Sequence, residues 1–139
     1  MQLKIKKLHA DAKLPTRAHS HDAGIDLYTY ENVTLNPHET KNIKIGIALE
    51  IPENYVGLIW DKSSIGAKGI KTLGGVIDAQ YRGEIGIMLH NLEDIAYTFE
   101  AGHKVAQLLI QKIEFPELIE ITEMSETTRG EGGFGSTGK

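Results

Sequence analysis

Ile43, Ile45, Ile47, Leu49 and Ile51 occupy every second position, with Asn42, Lys44, Gly46, Ala48 and Glu50 between them. A period of two puts one set of side chains on one face of an extended chain, so residues 41–51 predict a half-buried β-strand. Such a strand cannot bury its apolar face alone, and the rest of the chain offers more strands to cover it. Gln2 to Leu8 alternates through Leu3 and Ile5. Pro52, Glu53 and Asn54 turn the chain into a strand over Tyr55 to Trp60. Ala96 to Phe99 predicts a short strand, and Glu117 to Glu123 a last one through Leu118, Ile119 and Ile121. Residues 9–21 are loop, broken by Pro15. Residues 105–113 fit helical spacing as well as a strand buried on both sides; the β context decides for the strand. An all-β sandwich or jelly roll is the expected fold.

Composition narrows the function. With 139 residues the chain can form one domain with a real core. It has no cysteine, which rules out a disulfide framework and a thiolate metal site. His19 and His21 lack other ligand types nearby and are read as solvated loop residues. A net charge of −4 argues against broad electrostatic binding to nucleic acid. No apolar run approaches the ~18 residues of a membrane span. The N-terminus has no apolar signal core, so the expectation is a cytoplasmic protein with no membrane partner.

Five stretches carry candidate chemistry. Gly74-Gly75-Val76-Ile77-Asp78 leads into Tyr81-Arg82-Gly83 and then an alternating run through Ile85, Ile87 and Leu89. This predicts a β-hairpin with a carboxylate and an aromatic ring at its mouth. Asp78 is either an ordinary turn residue or a functional carboxylate. Asp22 to Tyr28 is a turn feeding a strand, with Asp26 read locally as a surface carboxylate. Asp61 to Gly69 holds two serines, two glycines and two lysines, a composition that suits a soluble loop or a phosphate-binding turn. Gln107 is a polar side chain inside an apolar run and needs hydrogen-bond partners. Arg129 to Lys139 is glycine-rich and too open to fold by itself.

Taken together these stretches resemble the five motifs of the trimeric dUTP pyrophosphatases, the dUTPases. Gly-Val-Ile-Asp-x-x-Tyr-Arg-Gly at residues 75–83 is similar to their third motif, and Ala-Gly-x-Asp-Leu at 23–27 to their first. Lys62-Ser63-Ser64 resembles the second, Gly102 to Leu108 the fourth, and Arg129 to Gly138 the fifth. The resemblance implies a homotrimeric jelly roll over residues 1–125, with a tail over 126–139 that closes on the site. It implies dUTP as substrate, Mg²⁺ as cofactor, and hydrolysis to dUMP and pyrophosphate. Asp78 would activate the attacking water. Gly75, Val76 and Ile77 would read uracil through the backbone, Tyr81 would pack under deoxyribose, and Phe134 would stack on the base. Lys62, Ser63, Ser64, Gln107, Arg129, Ser136 and Thr137 would hold phosphates, and Asp26 would reach the metal through water.

Three positions depart from the family pattern. Lys62 stands where arginine is usual, a point charge in place of a planar fork. Asp61 replaces a common proline. Thr72 replaces an asparagine six residues before the catalytic aspartate. The related dCTP deaminases put a glutamate where this chain has Met88 and an arginine where it has Ala67, which argues against deamination. A non-catalytic nucleotide-binding or signalling protein of the same fold is the remaining alternative, disfavoured by Asp78 and the tail.

Overall fold

Ten strands and one short helix follow one another in the computed structural model, which describes residues 1–133. They are β1 (Lys4–Lys7), β2 (Ile25–Tyr28), β3 (Val33–Leu35), β4 (Thr40–Glu50), β5 (Tyr55–Trp60), α1 (Ser63–Gly66), β6 (Ile70–Thr72), β7 (Val76–Ile77), β8 (Glu84–Asn91), β9 (Tyr97–Phe99) and β10 (Lys104–Lys112). One sheet has the order β1-β4-β8-β6 and a second β2-β10-β5-β7, while β3 and β9 form a separate pair. Every pairing is antiparallel. The core lies between the sheets. Ile43, Ile45, Ile85 and Ile87 enter it from the first and Leu27, Val105 and Leu108 from the second, with Leu35 and Phe99 closing one region. The fold is a distorted β jelly roll.

The alternation in β4 governs burial only in its first half. From Gly46 to Leu49 every residue is buried. The register against β8 shifts between Lys44 and Ala48, and β1 pairs with the far half of the strand. Leu8 and His9 then donate their backbone N–H groups to the Gly46 carbonyl, bringing the buried Ala12 over that half. A stretch read from sequence as plain loop is therefore part of the core's cover.

Two expectations are corrected. Val76–Ile77 and residues 84–91 do not pair as a hairpin. β7 pairs with β5 in one sheet, and β8 pairs with β4 and β6 in the other. Gly57 lies opposite Ile77 and leaves room for its side chain, so β7 docks there. No strand forms over Glu117 to Glu123: among the described residues none follows Lys112. Phe115, Leu118, Ile119, Ile121 and Met124 are exposed instead. The apolar alternation is present, but a strand exists only when paired, and β10 already has β2 on one side and β5 on the other.

Candidate active site

The chain leaves one sheet at β6, joins the other at β7 and returns at β8. This double crossing opens a cleft. One part, of about 220 Å³, is lined by Thr72, Leu73, Gly75, Val76, Ile77 and Met88 among others. The adjoining part, of about 280 Å³, has Asp78, Tyr81 and Glu84 on its wall. Asn42, Val76, Ile77 and Gly86 line both parts, so the two are continuous. Gly75 makes the entry possible. Its φ is +121°, its carbonyl accepts the Ile59 N–H at 2.8 Å, and a Cβ there would come within 2.7 Å of the Ile59 Cβ. A side chain would be both strained and obstructed.

Asp78 is exposed where the cleft meets a third cavity of about 660 Å³, lined also by Tyr55, Tyr81, Ile113 and Phe115. The turn that presents it is tightly held. Tyr81 donates its N–H to the Asp78 carbonyl at 3.0 Å and its hydroxyl to the Glu84 carbonyl at 3.0 Å. Arg82 donates through Nη1 to the carbonyls of Ala79 and Tyr81. The arginine's contacts are thus with its own turn, and the tyrosine ring is fixed as a wall beside the carboxylate.

A second group forms at the far end of the β2-β10-β5-β7 sheet. Asp26 on β2 faces Gln107 on β10, and Gln107 in turn faces Trp60 on β5. Gln107 donates through Nε2 to the Asp61 carbonyl at 2.7 Å, which satisfies the polar side chain in its apolar run. Gly24 packs against this side chain: a Cβ there would overlap the Gln107 Oε1, and the glutamine would have to shift to admit it. Asp26 is not a surface carboxylate. Its side chain is 8% exposed, accepting from Lys62 Nζ at 3.0 Å and Lys104 Nζ at 2.6 Å. Burial works against its ionisation, but the bonds and charges of Lys104 and Lys62 outweigh it and hold the carboxyl below its ordinary value. Ser63 and Ser64 begin α1 and are exposed, while Ile65 anchors that helix in the core.

Lys104, Asn42 and Asp61 were not singled out as site residues by sequence. Lys104 carried one signal, a cation opening an apolar run. Asn42 carried none, because it is one of several polar residues on the outer face of β4.

The two groups do not meet within one chain. Val76 faces Leu58 and Ile77 faces Gly57, so Asp78 lies past the start of that pairing, toward Val56. Lys62 lies beyond the opposite end of β5. At about 3.3 Å per residue the intervening stretch separates them by roughly 20 Å. Arg129 joins neither group; it is exposed and donates through Nε to the Gly132 carbonyl at 2.8 Å. Phe134, Ser136 and Thr137 lie outside the described residues. Among the described residues, no three or more His, Cys, Asp or Glu side chains cluster to hold a metal ion, and His19 is exposed beside Asp22.

A β jelly roll that carries a carboxylate-flanked cleft at one place and a buried lysine–carboxylate group at another has close counterparts among known proteins. The family model described as dUTPase matches residues 10–138. The chain belongs to the dUTPase family. It is 46% identical over 140 residues to the deoxyuridine 5'-triphosphate nucleotidohydrolase of Clostridium tetani, with 99% of this chain and 97% of that protein covered. The protein of the same name from Mycolicibacterium gilvum is 43% identical, with 98% and 94% covered. Among solved structures, the Staphylococcus bacteriophage 80alpha dUTPase with dUPNHPP superposes with a TM-score of 0.93 at 35% identity, covering 99% of each chain. A mutant dUTPase from phage phi11 of S. aureus, whose structure concerns the coordination of a structural Mg(II) ion, gives 0.83 at 33% identity, covering 88% of this chain and 98% of that one.

Proposed function

We propose that this chain is a dUTP diphosphatase: it catalyses dUTP plus water to dUMP plus pyrophosphate, in sites shared between copies of the chain. The exposed Asp78 at the mouth of the Gly75–Ile77 cleft carries the reading. Asp78 accepts a proton from water as the water oxygen bonds to the α-phosphorus, and the bond from that phosphorus to the bridging oxygen of pyrophosphate breaks. Uracil enters the cleft against the backbone of Gly75, Val76 and Ile77. The fixed Tyr81 ring packs under the deoxyribose and leaves no space for a 2′-hydroxyl. Lys62, Ser63, Ser64 and Gln107 hold the phosphates, and donors placed before the reaction stabilise charge as it develops.

Mg²⁺ fits these residues in one way only. Both Asp26 oxygens already accept from ammonium groups, and no cluster of ligands stands beside them among the described residues. Asp26 would hold such a hard ion through water, and the ion would keep much of its own water shell. When bound, it supplies charge neutralisation of the phosphates.

Two observations support a homotrimer with shared sites. The roughly 20 Å between Asp78 and Lys62 leaves each half-site incomplete without a neighbour. The exposed apolar residues from Phe115 to Met124 need a covering surface, and another copy supplies it. No helix among the described residues is long and apolar enough to cross a membrane. The reading places the enzyme in the cytoplasm, where its nucleotide substrate is.

Incubation with dUTP, dCTP, dTTP and UTP, with product identification, tests the activity. Only dUTP is expected to yield a monophosphate and pyrophosphate efficiently. Ammonia from dCTP, or equal rates on UTP and dUTP, overturns the assignment.

Residues 126–139 act as the closing segment, bringing Arg129, Ser136 and Thr137 to the phosphates and Phe134 onto uracil. Residues 126–132 contribute nothing to the core. Truncation after Ser125 is therefore expected to leave Tm and assembly mass nearly unchanged while abolishing most dUTP turnover. Full turnover by the truncated protein would reduce the segment to a linker.

A further inference from the structure

Residues 61–69 carry the chain from β5 in one sheet to β6 in the other, and the Asp61 side chain joins the two ends of that crossing. Its Oδ1 accepts two hydrogen bonds from Thr72, one from the backbone N–H at 2.7 Å and one from the hydroxyl at 2.6 Å. Its Oδ2 is paired with the Lys71 ammonium. Lys62, Ser63 and Ser64 follow Asp61 directly. We infer that Asp61 is a positioning residue for the phosphate half of the site: its carboxylate clasps the entry of this segment to β6 and so fixes where Lys62, Ser63 and Ser64 stand. The inference rests on the proposed role of those three residues in holding phosphates.

The segment is secured elsewhere but not at its entry. At the exit, β6 pairs with β8 from Ile70 to Thr72, and the Gly69 carbonyl accepts the Leu92 N–H at 2.8 Å. In the middle, Ile65 is buried in the core. At the entry the ladder stops: β5 ends at Trp60, whose partner on β10 is Gln107. α1 is four residues long, and Lys62 at its N-cap makes no side-chain capping bond. A helix that short does not hold itself together in water. Two side-chain ties locate the entry, the Gln107 amide on the Asp61 carbonyl and the Asp61 carboxylate on Thr72.

The chemistry of the clasp is well matched. Thr72 lies on the edge strand of its sheet, where a backbone N–H can be left without a neighbouring strand, and Asp61 supplies the acceptor. An ionised carboxylate only accepts, so one oxygen can take both Thr72 protons. Burial opposes the ionisation of Asp61, but the bonds from Lys71 and Thr72 outweigh it and hold the carboxyl below its ordinary value. Lys71 is half-exposed, so its ion pair adds little by itself. A proline, common at this position in the family, restricts one backbone dihedral. Asp61 instead fixes the distance between two segments that pairing alone does not join.

The test compares the dissociation constants of dUMP and a non-hydrolysable dUTP analogue, with Mg²⁺, in the full-length protein and its variants. Their quotient reads what the outer phosphates add, apart from the base. In Asp61→Ala the quotient should fall roughly 10-fold with dUMP affinity nearly unchanged, because the segment's entry drifts while β6 stays in its ladder. The dUTP KM should rise more than kcat falls. Asp61→Asn keeps an oxygen for Thr72 and should retain most of the quotient. Thr72→Val keeps the backbone donor and should lose part of it; Lys71→Met should lose none. Thr72→Val leaves Asp61 in place, so it carries the comparison even if Asp61→Ala does not fold. Equal weakening of dUMP and the analogue would mark a merely structural role. An unchanged quotient in Asp61→Ala and Thr72→Val would mean that the segment is placed without the clasp. Either result, in a protein that hydrolyses dUTP, overturns this inference alone. A wild-type protein that does not hydrolyse dUTP overturns the proposed function itself.

Discussion

Asp78→Asn is expected to lower dUTP turnover by ~10²–10⁴-fold, the usual size of a lost general base. The amide is nearly isosteric with the carboxylate but does not accept the proton that the attacking water must lose. Folding should not suffer. Asp78 is exposed, and the turn around it is held by its backbone carbonyl and by the contacts of Tyr81 and Arg82. Assembly mass, Tm and affinity for a non-hydrolysable dUTP analogue should all match the wild type. Single-turnover measurement separates the chemical step from product release. A variant that keeps more than about a third of wild-type turnover, against the much larger loss expected of a missing base, would remove Asp78 from its role.

Mixing two inactive variants is expected to regenerate activity. The prediction rests on the separation of Asp78 from Lys62 along β5. If each site takes its base-side half from one chain and its phosphate-side half from another, damage to either half is complemented by a partner. Ser63→Glu is the suitable second variant. Ser63 is exposed at the first position of α1, where an acidic side chain suits the helix end, and the added carboxylate repels the triphosphate. Alone it should be nearly inactive with an unchanged Tm. Unfolded together with Asp78→Asn and refolded at equal ratio, the mixture should recover roughly a quarter of the wild-type sites, as random assembly of a closed homo-oligomer requires. No recovery in mixed oligomers of confirmed composition would place both halves in one chain. Full activity of Ser63→Glu by itself would remove Ser63 from phosphate binding.

Much of the fold was legible because its signals are local. The alternation over residues 41–51, the turn at Pro52 to Asn54 and the strand after it all appear where the pattern puts them. The strand over β10 was separable from a helix only by its β surroundings, since Val105, Leu108 and Leu109 satisfy both periods. The supposed hairpin shows the limit. Gly74 to Leu89 contains the right turns and apolar runs, yet its two strands belong to different sheets. Periodicity states which face of a strand is buried; it does not name the strand beside it.

The same limit applies to the site. Residue types and spacing left Asp26 as a surface carboxylate and Asp78 as either a turn residue or a functional one; the resemblance of short segments to family motifs marked Asp26, Lys62, Asp78 and Gln107 as candidates and Asp61 and Thr72 as departures from the pattern. Those properties belong to short segments and survive in a linear string. Tertiary structure alone decided that Asp26 is buried between Lys62 and Lys104, and that Asp61 accepts from Thr72. It also decided that Asp78 stands far along the β5 direction from Lys62. Each of these depends on which distant segments pack together. Burial, charge pairing and strand register are set by the whole chain's packing, so no local window of sequence contains them.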